Sequence, residues 1–271
     1  MNRNKTKAMA EGAVMIALAT VLSILKLVEM PYGGSVTFAS MLPLVVLSYR
    51  HGAKFGLGAG LVFAIMQQLL GLKNLSYFTT PLSIIAIILL DYLLAFCLIG
   101  LSGVFRKVIA NQAGAMVVGS AMACIIRYIC HVISGATVWA GLSIPDSAAL
   151  IYSLGYNATY MLPETVVLCA SAYYIGNVLD FTCEIPRRVP AKFADTGSAA
   201  AYALSGVLIL GALIADVAIV APFVQDPEDG RFDLSYLGGA NWCAVGIISA
   251  VALCAVAAIT LLNRARVRRS N

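Results

Sequence analysis

Asp91 sits inside an apolar run from Pro81 to Leu101 that offers it no basic neighbour in sequence. A carboxylate left unpaired in hydrocarbon is costly, so its presence predicts a partner or a ligand of opposite charge. The other residues able to do chemistry in apolar surroundings are few. Arg127 and His131 stand at i, i+4, and Tyr128 and His131 at i, i+3, so one helix face presents a cation, a phenol and an imidazole. Tyr152, Tyr156 and Tyr160 recur every four residues with Asn157 one position off the stripe, Trp139 follows the His131 helix, and Tyr92 adjoins Asp91. A Gly33-Gly34-Ser35 turn falls at the same ends of the helices.

Together these residues predict a polar, aromatic pocket. Its chemistry is recognition: aromatic faces and a desolvated carboxylate favour a cationic heteroaromatic ligand, and phenol hydroxyls with an amide supply directional hydrogen bonds. Each residue also has a plainer use. Arg127 can neutralise Asp91 across the bundle, His131 can be an interior histidine, the tyrosine stripe can be packing, and Trp139 can be an interfacial anchor.

Covalent chemistry and metal binding find little support. No second histidine or cysteine stands at coordination spacing from His131, and His51 lies among basic residues, where it is expected to be solvated. The seven cysteines are scattered, mostly in apolar runs, with no paired short spacing. No glycine-rich loop ends in Gly-Lys-Ser or Gly-Lys-Thr, so an ATP-driven step would need another polypeptide. No cofactor is expected.

The elements that must position these groups are membrane helices. Hydrophobic residues make up 61% of the 271 positions and charged residues 11%, and the apolar stretches are long enough to cross about 30 Å of hydrocarbon. Polar interruptions predict eight spans: 8–30, 36–49, 54–71, 81–101, 113–137, 149–179, 197–222 and 239–262. The second is short and carries Pro43, and Pro163 could kink or end a segment inside the sixth. The first apolar stretch is expected to be retained rather than cleaved as a signal.

Basic residues orient the bundle. With a cytoplasmic N-terminus, one side receives Arg3, Lys5, Lys7, Arg50, Lys54, Arg106, Lys107, Arg187, Arg188, Lys192, Arg264, Arg266, Arg268 and Arg269, which is 14 of the 18 lysines and arginines. The opposite loops hold Lys73 and Arg231 beside Asp146, Asp226, Glu228, Asp229 and Asp233. Both termini are therefore expected in the cytoplasm, in a multi-pass protein of the cell membrane. This sidedness accounts for the net charge of +5; the basic clusters face membrane lipid and need no nucleic acid. The absence of a visible internal repeat weighs against an inverted-repeat carrier.

The segments Pro31-Tyr32-Gly33-Gly34-Ser35-Val36, Leu90-Asp91-Tyr92, Arg127-Tyr128 with His131-Val132-Ile133-Ser134-Gly135, and Tyr152-Ser153-Leu154 with Tyr156-Asn157-Ala158-Thr159-Tyr160 resemble, in order and spacing over residues 8–180, the thiamine-specific substrate-binding (S) components of energy-coupling-factor transporters. The resemblance implies an all-α fold with a six-helix membrane core over residues 1–185; beyond it, the basic, proline-containing interruption at 186–196 reads as a cytoplasmic linker and the apolar runs after it as two additional transmembrane helices with a basic tail at 197–271. It implies high-affinity uptake of thiamine at a site near the outer surface, closed by the loop between the first two helices, and no enzymatic activity. It also implies as partners a transmembrane coupling protein and two cytoplasmic ATPases.

Carried over residue by residue, the resemblance implies Asp91 as the carboxylate that meets the cationic vitamin, with Tyr92, His131, Trp139, Tyr152, Asn157 and Gly34 lining the site and Arg127, Tyr128 and Tyr156 behind them. Ala13 and Ala17, at i, i+4 on the first helix, resemble the family's contact face for the coupling protein, a use that small residues serve in membranes generally. The sequence departs from the family pattern at Asp91, where some members carry glutamate, near Gly34, where some carry tryptophan, and in the extension after residue 190. Two rival readings remain open. One is a self-sufficient ion-coupled carrier of a small heteroaromatic cation, with Asp91, Arg127 and His131 as a proton relay. The other is an intramembrane enzyme with Asp91 and His131 as an acid–base pair.

Overall fold

Thr80 and Pro81 start the helix that carries Asp91. The Thr80 side chain accepts from the Ser83 N–H, and Pro81 occupies the first turn, where its missing N–H leaves no helix bond unmade. That helix runs over Pro81–Lys107 but not uniformly. It is α-helical over Pro81–Ile87, widens to a π-helix over Ile88–Leu94, and tightens to a 3₁₀-helix over Leu98–Lys107. Asp91 lies at the centre of the π stretch. Such wide turns re-aim the side chains within them and recur at functional sites.

The computed structural model describes residues 3–30, 33–142, 148–189, 196–224 and 234–270. Pro31, Tyr32, Asp146, residues 190–195 of the expected linker and the acidic stretch 225–233 lie outside them. The chain divides into two compact units, Met1–Arg188 and Val189–Asn271.

In the first unit, helix α1 (Arg3–Ile24) leads into an antiparallel ribbon of β1 (Lys26–Glu29) and β2 (Ser35–Thr37). Then come α2 (Leu42–His51), α3 (Ala53–Leu70), a 3₁₀ turn at Leu72–Tyr77, α4 (Pro81–Lys107), α5 (Gln112–Thr137) and α6 (Ala149–Val178). A short ribbon pairs β3 (Leu179–Asp180) with β4 (Arg187–Arg188). The second unit is a hairpin of α7 (Thr196–Val220) and α8 (Trp242–Ser270), in which Ser249 donates to Asp216 at 2.7 Å. Asp216 is thus a packing carboxylate between two helices.

Among the described residues five helices are long and apolar enough to cross a membrane: Lys5–Ile24, Ala53–Leu70, Pro81–Lys107, Gln112–Thr137 and Trp242–Asn263. Two of the remaining expected spans fall short for distinct reasons. Instead of a span over 36–49, the chain forms β2 and the ten-residue α2, about 15 Å at 1.5 Å per residue. The span over 149–179 is one 30-residue helix, α6, with Pro163 inside it, and the buried Ser153, Asn157 and Glu164 dilute its hydrophobicity. The expected span over 197–222 coincides with the 25-residue helix α7, Thr196–Val220. The fold is therefore mostly helical rather than wholly so, with two small ribbons at the ends of helices.

Small residues let the helices meet closely. A Cβ on Gly100 would lie 2.2 Å from the Gly56 carbonyl carbon, and one on Gly119 would lie 1.9 Å from the Ser102 carbonyl oxygen. Glycine is thus required where α3, α4 and α5 cross, the kind of approach that drives association where apolar burial from water cannot. Phe63, Leu44, Leu47, Ile99, Met116 and Leu168 fill the space between, all fully buried.

Candidate functional site

Asp91 is held by three donors. Its Oδ1 lies 2.9 Å from His131 Nδ1, and its Oδ2 accepts from Ser134 Oγ at 2.8 Å and Trp139 Nε1 at 3.0 Å. His131 and Ser134 lie one turn apart on α5, and Trp139 follows directly after its end, so one helix aims all three at the π stretch of α4. An ionised carboxylate can only accept, so Nδ1 carries the proton; in the neutral ring Nε2 is then an acceptor. That Nε2 is buried and has no hydrogen-bond partner among the described residues.

No lysine or arginine pairs with Asp91 among the described residues. The Arg127–Asp91 pair that the sequence allowed does not form. The Arg127 guanidinium instead lies over the Phe96 ring at 4.5 Å from its centroid and donates to the Met41 sulfur at 3.4 Å, with its Nε unpaired. Both groups are on neighbouring helices, but the i, i+4 step from Arg127 to His131 places the imidazole at the carboxylate and the guanidinium one turn deeper. Asp91 is therefore held by hydrogen bonds from an imidazole, a hydroxyl and an indole rather than by a guanidinium, and such bonds to a carboxylate are about twice as strong as neutral ones.

Aromatic residues wall this cluster. Trp139 is buried rather than interfacial, packed edge-on against Phe78 at 4.8 Å and tilted on Tyr77 at 6.0 Å. Tyr92 turns away from its neighbour Asp91. Its hydroxyl accepts from Asn74 Nδ2 at 3.0 Å and donates to the Gly71 carbonyl at 3.3 Å, which fixes the 3₁₀ turn that carries Tyr77. Tyr128 donates to the Leu154 carbonyl at 2.9 Å, tying α5 to α6 rather than facing Asp91.

The stripe on α6 forms a second cluster in contact with the first. Asn157 donates to the Ser153 carbonyl at 2.9 Å and the His131 carbonyl at 3.3 Å, and its Oδ1 accepts from the Tyr160 hydroxyl at 2.6 Å. Tyr160 packs edge-on against the His131 ring at 6.2 Å and the Tyr156 ring at 5.9 Å. Tyr152 lies one turn earlier on the same helix.

The same helix secures the β1–β2 ribbon. Tyr156 donates to the Gly33 carbonyl. Gly34, at φ +85°, lies so close to Tyr160 that a Cβ there would be 2.8 Å from the ring. Glu164 accepts from the Thr37 N–H at 2.6 Å and the Thr37 hydroxyl at 2.7 Å. The fully buried Glu164 was not singled out from the sequence, although it continues the stripe 152, 156, 160 by one more step of four; Ser134, one turn from His131, was likewise given no role. Ala13 and Ala17 lie on the exposed face of α1, with Val14, Leu18 and Val21.

At the far ends of the helices, Glu11 pairs with Arg50 and lies 3.0 Å from His51 Nε2, and the His51 ring tilts on Phe55 at 4.9 Å. His51 is thus engaged, not solvated: α1 brings a carboxylate to it that the local basic sequence conceals. Among the described residues no group of three histidine, cysteine or acidic side chains could hold a metal ion.

The cluster thus gathers one carboxylate, a buried imidazole nitrogen with no hydrogen-bond partner among the described residues and several ring faces.

Residues 9–180 match the family described as thiamine transporter protein (Thia_YuaJ). The thiamine transporter ThiT of Bacillus subtilis is 37% identical over 186 residues, covering 63% of this chain and 90% of that protein. ThiT of Lacticaseibacillus paracasei is 28% identical over 172 residues, covering 58% and 80% respectively. The solved structure of ThiT from Listeria monocytogenes superposes with a TM-score of 0.52 at 25% identity, over 64% of this chain and 94% of that one.

Proposed function

Because this chain belongs to the thiamine transporter protein family, we propose that it captures thiamine at the Asp91 cluster and works as the substrate-binding component of an energy-coupling-factor transporter. The family is one of transporters, so the reading of Asp91 and His131 as an enzymatic acid–base pair falls away. The observation that carries the proposal is the Asp91 carboxylate: three donors hold it in place, and no lysine or arginine pairs with it among the described residues. The thiazolium ring of thiamine is a permanent, planar cation, and it supplies the missing charge.

In this reading Trp139, Tyr77 and Phe78 stack on or flank the bound rings, and His131 Nε2 and the Asn157–Tyr160 pair face the polar edge of the aminopyrimidine. Asn157 is already engaged with Tyr160, so vitamin binding there exchanges one hydrogen bond for another. The β1–β2 ribbon, secured by Tyr156, Tyr160 and Glu164, covers the site. Release inward requires these contacts to part, with the work supplied by a coupling protein and two ATPases that meet the Ala13 and Ala17 face of α1. Both termini lie in the cytoplasm, on the side that collects the basic residues.

Transport into proteoliposomes separates this reading from the ion-coupled carrier. With the purified chain alone, thiamine binds stoichiometrically but does not accumulate, whatever proton gradient is imposed. Uptake appears when the coupling protein, both ATPases and ATP are added. Accumulation driven by a proton gradient with this chain alone overturns the proposal.

A further inference from the structure

A cavity of about 400 Å³ opens where α2 ends, α3 begins and α4 ends, and its walls include His51, Gly52, Lys54, Val104, Arg106 and Lys107. None of the residues lining it is acidic. Three of these side chains, Lys54, Arg106 and Lys107, carry full positive charge, and their gathering in one concavity is unfavourable unless an anion joins them. Glu11, which reaches His51 on the cavity wall, is already committed to Arg50 and His51.

The cavity is built rather than incidental. Arg106 is pinned by hydrogen bonds from Nη1 to the carbonyls of Tyr49 at 3.2 Å and Arg50 at 2.9 Å, the last turn of α2. Gly52, at φ +90°, brings the backbone against the guanidinium: a Cβ there would lie 3.3 Å from its Cζ and Nη2. The Arg106 Nη2 makes no hydrogen bond among the described residues. The first turn of α3 begins at the cavity wall with no side-chain cap, which adds uncommitted N–H donors to the three cations. Lys54 and Lys107 stand exposed at the rim.

Its position narrows the ligand. The spans Ala53–Leu70 and Pro81–Lys107 begin and end at this cavity, so it lies at a boundary between hydrocarbon and water. Beside the charges, Val104 and Val108 are exposed, at 41% and 77% of their surface. A free anion needs the charges alone, whereas a lipid uses both parts, with its phosphate among the cations and its acyl chains along the valines. Basic pockets between membrane helices suit such headgroups.

We propose that this cavity binds the phosphate of an anionic phospholipid headgroup, at a site separate from the Asp91 cluster. Inorganic phosphate shares the same oxyanion chemistry and serves as the contrasting arm of the test. The purified, delipidated full chain is titrated with dioleoylphosphatidylglycerol or dioleoylphosphatidylcholine and bound lipid is counted by native mass spectrometry, with and without millimolar inorganic phosphate. The comparison is Lys54→Gln/Lys107→Gln, which spares Arg106 because that residue also caps α2.

One phosphatidylglycerol is expected to be retained in preference to phosphatidylcholine, to resist inorganic phosphate, and to bind about 30-fold more weakly to the double variant, the share of two lysines in a headgroup attraction. Thiamine titration on the same samples is expected to be unchanged, which excludes misfolding as the cause. Equal retention of the two lipids, or equal retention by the double variant, overturns the proposal. Displacement by inorganic phosphate assigns the cavity to the soluble ion and overturns its assignment to lipid.

Discussion

Asp91→Asn removes one charge and almost nothing else, so its effect can be worked from the geometry. A cation held about 4 Å from a carboxylate at an effective dielectric constant of about 20 is stabilised by about 4 kcal/mol, which corresponds to about a thousandfold in affinity. The fold loses far less. With the amide oxygen toward Ser134 and Trp139, both of those bonds survive. The amide NH₂ then faces His131 Nδ1, which can accept if the ring changes tautomer and carries its proton on Nε2. The stability cost is therefore about 1 kcal/mol, or about 2–4 °C in a unit of this size. Isothermal titration calorimetry with thiamine and a thermal melt on the same preparation read both quantities. The expected result is affinity about a thousandfold weaker with a nearly unchanged melt, and Asp91→Glu, which keeps the charge, is expected within about tenfold of wild type. An Asp91→Asn affinity within about threefold of wild type refutes the charge argument outright.

Three further perturbations test the ribbon and the α6 stripe. Glu164→Ala strands the Thr37 N–H and hydroxyl in a buried position, at a cost of about 2 kcal/mol, and should lower the melting temperature by about 4–8 °C; an unchanged melt removes Glu164 from the account of the fold. Gly34→Ala puts a Cβ 2.8 Å from the Tyr160 ring on a backbone with φ +85°, so Tyr160 must move off His131, and calorimetry should read thiamine affinity about tenfold lower; wild-type affinity would separate the ribbon from the site. Tyr160→Phe leaves Asn157 Oδ1 without its donor, at about 1–3 kcal/mol, and should weaken both the melt and thiamine binding; an effect on the melt alone limits Tyr160 to a structural part.

Asp91 and His131 were legible because a carboxylate in an apolar run and an imidazole on the face of a neighbouring helix are each costly without a partner. The distance of 2.9 Å between them supplies that partner. The alternation of apolar runs with basic ends also located most helix starts and stops, Gln112–Thr137 within a residue of the expected 113–137. Other features depend on tertiary placement. Whether Arg127 or His131 reaches Asp91 is decided by helix rotation and depth, which spacing alone leaves open, and the π stretch around Asp91 has no periodic signature. The ribbon at Lys26–Thr37 was hidden because its residues are apolar enough to extend the neighbouring helical runs. Glu164 carries no mark in the sequence because it stands beside Pro163 and continues an otherwise aromatic stripe with a carboxylate, whose partner Thr37 is 127 positions away. His51 looked solvated because Glu11, its partner, lies 40 positions away in sequence.

The central claim is that the positive ring of thiamine meets the Asp91 carboxylate. An experimental structure of the chain with thiamine bound tests it most directly. The account predicts the thiazolium within about 4–6 Å of that carboxylate, where opposite charges interact strongly, with Trp139 and His131 against the bound rings. Thiamine seated away from Asp91, or an Asp91 side chain turned toward lipid in the bound state, contradicts it.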